Sequence, residues 1–73
     1  MDKYEKIIED ICEKYGVKKQ HLLSRRRDAE LVKIKKLTYW TLRQAGLSLP
    51  KIGKLMNKDH STVLYGIRTF RNN

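Results

Sequence analysis

The chain opens on apolar residues at steps of three and four: Tyr4, Ile7, Ile8, Ile11, Cys12 and Tyr15. That spacing stacks them on one helical face with the charges opposite. Gly16 follows where a helix commonly ends through a left-handed residue, and Val17 can fold back over the last turn. A short second helix is expected over about residues 18–23, presenting Leu22 and Leu23 to a core. Ser24-Arg25-Arg26-Arg27 then breaks the apolar pattern and reads as an exposed loop.

Asp28 stands where it can cap a third helix running to about Ala45, with Glu30 near its positive end. The expected inner face is Leu31, Ile34, Leu37, Thr38, Thr41, Leu42 and Ala45, widened by Tyr39 and Trp40. Gly46 closes this segment. Ser48 can cap a fourth helix carrying Pro50 in its first turn, where a missing N–H costs little, with Ile52, Leu55 and Met56 as its buried stripe. It is expected to end near Asn57. Asp59 to about Phe70 reads as a fifth helix, with Val63, Leu64, Ile67 and Phe70 inward. Tyr4, Tyr15, Tyr39, Trp40 and Phe70 fall at core spacing, which favours core or core-edge roles over base stacking. No strand alternation, repeat or linker interrupts the pattern. The expected fold is all-α, a single-domain bundle of about five helices over residues 1–73.

Size and composition narrow the function. With 73 residues there is room for one core only. Cys12 is the sole cysteine, so no internal disulfide is available and a reducing cytoplasm is expected. No apolar run is long enough to span a bilayer, and the mixed charges at the start do not form a signal peptide. The formal charge is +9, unevenly placed: residues 1–15 carry net −2 and residues 16–73 net +11. The basic surface therefore lies beyond the first helix, and nucleic acid is the commonest polyanion for such a domain. His21 and His60 lie far from each other and from Cys12 in sequence, so no metal or other cofactor is expected. Nor do a nucleophile, a base and an orienting group cluster in the sequence as an enzyme would require.

The segment from Ser48 has helix-turn-helix dimensions: Gly53 where two helices must approach, Asn57 at the turn, Val63 in the second helix. Asn tolerates left-handed backbone better than any residue but glycine. Three motifs agree in order: Leu22-Leu23-Ser24-Arg25-Arg26-Arg27, Ser48-Leu49-Pro50-Lys51-Ile52-Gly53 and Lys58-Asp59-His60-Ser61-Thr62-Val63-Leu64. Together they resemble the C-terminal DNA-binding domain of bacterial replication initiators of the DnaA family, from about Lys6 to Arg71. The resemblance implies that family's Trp-repressor-like helical fold with a basic loop, a bacterial or phage source, and recognition of a short asymmetric duplex site. The sequence departs from the family at Lys33 and Lys35, where arginine is usual, and in Lys36-Leu37-Thr38-Tyr39-Trp40-Thr41, which replaces an alanine-rich stretch. Gly53-Lys54 is not a nucleotide-binding loop, since Leu55 follows it and six residues separate Gly46 from Gly53.

A recognition helix sets its first turn in the major groove, where base edges are distinguishable. Asp59, His60, Ser61 and Thr62 occupy that turn. Asp59 can accept from a base amine or cap its own helix, and the two hydroxyls can meet a thymine methyl, a phosphate or a free backbone N–H. Leu49 and Pro50 resemble family residues that pack on thymine methyls, against the plainer reading of core residue and helix starter. Arg27, with Arg25 and Arg26, suits an adjacent minor groove. Lys33, Lys35, Lys36, Arg43, Lys51, Lys54, Lys58 and Arg68 are expected to contact phosphates. The partner is therefore expected to be double-stranded DNA, bound by a monomer without a membrane. The alternatives are a transcriptional regulator on the same scaffold, or a basic module docking on an acidic protein or anionic membrane.

Overall fold

The computed structural model describes residues 2–71, which form five α-helices: α1 Lys3–Tyr15, α2 Lys19–Leu22, α3 Ala29–Gln44, α4 Leu49–Met56 and α5 His60–Arg71. Asp2 caps α1 by accepting from the Tyr4 N–H at 3.0 Å. Gly16 ends it in the left-handed region at φ 65°, and the Val17 N–H returns to the Cys12 carbonyl at 2.9 Å. The second helix is a single turn between the cap residues Lys18 and Leu23, as expected, after which the chain enters the basic loop. Asp28 stands at the N-cap of α3 with no side-chain capping bond. Its carboxylate instead accepts from Arg26 Nη2 at 2.7 Å.

α3 is the central element. It packs most extensively on α5, then on α1, while α4 leans on α5. Ile8, Leu22, Leu42, Ile52, Met56 and Val63 are fully buried, so every helix sends at least one side chain to a common core. Burying each such side chain contributes about 1.5–3 kcal/mol relative to leaving it exposed. Trp40 and Phe70 close the far side of the α3–α5 contact, with ring centroids 5.6 Å apart.

The inner face of α3 is Leu31, Lys35, Thr38, Tyr39 and Leu42, the expected face with Lys35 added, and Ile34 and Trp40 are half-buried against the core beside it. Thr38 is tolerated there because its Oγ1 donates to the Ile34 carbonyl at 2.8 Å. Leu47, in the α3–α4 connection, joins the core as well. Leu64, expected inward, is instead 39% exposed, and Tyr15 at the end of α1 is exposed too. On α5, Val63 and Ile67 are buried together with Gly66, and Leu64, about 100° around the helix from Val63, lies at the edge of that stripe. None of the described helices is long and apolar enough to cross a membrane.

Candidate nucleic-acid interface

The local chemistry of residues 48–60 builds two helices at a fixed crossing. Ser48 Oγ accepts from the Lys51 N–H at 3.4 Å, and Pro50 stands in the first turn, where no N–H is missed. At the other end Asn57 takes φ 57° and ψ 46°, the left-handed conformation that ends α4. The Lys58 N–H then donates to the Gly53 carbonyl at 2.7 Å. A β-carbon on Gly53 would lie 2.5 Å from the Lys58 carbonyl oxygen, so only glycine lets the turn fold this closely onto α4.

That crossing holds the start of α5 outward. Asp59, His60, Ser61 and Thr62 are all exposed. The Asp59 carbonyl accepts from the Val63 N–H at 3.2 Å, but among the described residues no backbone N–H reaches its carboxylate. That carboxylate lies 3.8 Å from His60 Nδ1, with the two side chains 68% and 61% exposed. Leu49 is half-buried against the core and Pro50 is exposed beside it.

Arg25, Arg26 and Arg27 are exposed on the loop before α3. The loop is ordered from within: Ser24 Oγ donates to the His21 carbonyl at 2.6 Å and accepts from the Arg26 N–H at 3.2 Å. Arg26 is partly neutralised by Asp28, whereas among the described residues no ion pair engages Arg25 or Arg27.

The remaining basic residues divide into two groups. Lys33, Lys51, Lys54 and Arg68 are exposed, and Lys36 is half-buried. Arg43 is exposed and donates to the Leu47 carbonyl at 3.3 Å. Lys35 departs from expectation, being only 6% exposed. Its Nζ donates to the carbonyls of Ser24 at 2.7 Å and Arg26 at 2.6 Å, so it faces the protein and not a phosphate. Lys58 behaves alike, donating from the helix-turn-helix turn to the Ser24 carbonyl at 2.5 Å. Burial lowers the pKa of both ammonium groups; Lys58 and Arg27 lower that of Lys35 further, and Arg25 and Arg27 that of Lys58. The shared Ser24 carbonyl brings the basic loop and the turn before α5 side by side. The roles of Ser24 and Lys35 escaped the sequence reading, although Lys35 lies four residues after Leu31 and seven before Leu42, on the buried stripe.

A short helix, a glycine-dependent turn and a second helix with an exposed polar start define a helix-turn-helix domain. Residues 4–69 match the family described as bacterial dnaA protein helix-turn-helix, and the chain belongs to that family. Similar relatives carry the name chromosomal replication initiator protein DnaA. That of Oleidesulfovibrio alaskensis is 40% identical over 62 residues, covering 84% of this chain and 13% of the relative. Those of Mycoplasma genitalium and Thermoanaerobacter sp. are each 33% identical, over 63 and 67 residues. They cover 85% and 90% of this chain, and 14% and 15% of the relatives. The chain thus spans about one seventh of the length of these proteins. No solved structure matches it.

Proposed function

We propose that this chain binds double-stranded DNA at a specific sequence, as a DnaA-box-type reader acting in replication initiation or its control. The first turn of α5 lies in the major groove, with Asp59, His60, Ser61 and Thr62 toward base edges and Leu49 and Pro50 beside a thymine methyl. Arg25, Arg26 and Arg27 enter the neighbouring minor groove, with Arg27 closest to the bases. Lys33, Lys36, Arg43, Lys51, Lys54 and Arg68 neutralise phosphates.

The observation that carries this reading is the bond from Lys58 to the Ser24 carbonyl, which joins the start of α5 to the arginine loop. One chain presents both elements, so a monomer suffices, and neither cofactor nor nucleotide enters the binding step. In a bacterial cell this places the protein on the nucleoid, in the cytoplasm.

The test is selection of bound fragments from a random duplex library. A short asymmetric site like those bound by replication initiators is the expected result. A well-defined but unrelated site would assign the scaffold to transcriptional control, and the absence of any enriched sequence would refute base readout.

A further inference from the structure

The arginine loop is held from two directions. Lys35 reaches it from the buried stripe of α3, and Lys58 reaches it from the turn before α5, 34 residues further along the chain than Ser24. Both ammonium groups meet at the single carbonyl of Ser24, and Lys35 also takes that of Arg26. An ammonium has three donors and no acceptor, and bonds from a charged donor are about twice as strong as neutral ones. Burying Lys35 costs desolvation, which its two carbonyl partners offset. Arg25, Arg27, Lys35 and Lys58 are like charges that disfavour one another's charged forms, and the carbonyl bonds of the two lysines act against that repulsion.

We propose that Lys35 and Lys58 are positioning residues that fix the distance between the arginine loop and the first turn of α5. This sets the register in which one domain engages two adjacent grooves. The inference rests on the duplex-binding reading above. It also separates these lysines from the exposed ones: they act on the protein, and their removal should alter selectivity without altering the number of phosphates neutralised.

The test compares the 73-residue chain with Lys58→Met, Lys35→Met and, as a surface control, Lys33→Met. The first readout needs no DNA: the rate at which an arginine-specific protease cuts within residues 25–27. Loss of the tether should speed that cut by about tenfold in Lys58→Met while the helical signal is unchanged. The second readout is duplex binding against salt. In Lys58→Met the preference for the selected site over random duplex should fall about fivefold or more, and the slope of log affinity against log salt should stay at the parent value. Lys33→Met should leave the cut rate alone and lower the slope by about 0.9.

A wild-type cut rate in Lys58→Met, or a slope lowered by about 0.9 for that variant, would overturn the proposal. Should Lys35→Met unfold, Lys58→Met decides alone, since its side chain is only half-buried at a turn. Should the parent chain bind no duplex, the binding reading fails, and the protease readout still judges the tether.

Discussion

A β-carbon placed on Gly66 would lie 2.7 Å from Cδ2 of Tyr39, so the backbone of α5 rests directly on the buried ring of α3. Tyr39 is 3% exposed and cannot swing aside into solvent. Gly66→Ala gains up to about 1 kcal/mol of helix propensity. Overpacking costs about 1–3 kcal/mol, and the contact is closer than real β-carbons tolerate. The expected outcome is a net loss of up to about 2 kcal/mol, read as a lower midpoint in urea at unchanged slope.

Gly53 makes the harsher contact, because the atom in the way is the backbone oxygen of Lys58. No rotamer change can relieve it; the turn itself must move, and α5 with it. Gly53→Ala is expected to destabilise by more than Gly66→Ala, by about 2–4 kcal/mol. Where it folds, it should also weaken binding to the selected site. Equal urea midpoints for the two variants would contradict this ranking.

Burial pushes the Tyr39 phenol up to about 12 from its ordinary 10.0. The folded chain then keeps a proton that the unfolded chain gives up. Stability from this group is whole below pH about 10 and falls by about 2–3 kcal/mol as pH rises towards 12. Lysine deprotonation crosses the same range in both chains, so the difference between the parent and Tyr39→Phe isolates the phenol. The gap in unfolding free energy should shift in favour of Tyr39→Phe between pH 9 and pH 11.5. Parallel curves would show that the ring oxygen is effectively solvated.

His60 and Lys51 separate reading from holding. His60→Ala should cost roughly 1–3 kcal/mol on the selected site and little on random duplex, while Lys51→Ala should weaken both about equally. Competition binding on the two duplexes measures each ratio, and equal losses for His60→Ala would count against base contact.

Much of this fold is legible in the residues because local signals and packing agree. The period of α1, the left-handed stops at Gly16 and Asn57, and the Ser48–Pro50 start of α4 each follow from backbone chemistry within a few residues. α3 was harder. Its buried stripe carries Lys35 and Thr38, whose polarity is satisfied by loop and helix carbonyls that no local pattern reveals. The apolar pattern brings Thr38 inward but leaves Lys35 out, because a lysine reads as solvent-facing until its carbonyl partners are known. Leu64 misled in the opposite sense, since an apolar residue beside Val63 looks inward until Gly66 proves to be the contact with Tyr39. On the interface side, the first turn of α5 and the arginine loop are exposed as expected. Their joining through Lys58 is a tertiary relation between residues 34 positions apart, beyond the reach of spacing arguments.

Whether this basic face engages duplex DNA is decided by an affinity titration of the chain on its selected duplex across salt concentrations. Log affinity should fall linearly with log salt at a slope of about −5 to −7, corresponding to roughly 6 to 8 phosphates neutralised. Absence of duplex binding at low salt would contradict the duplex-binding reading.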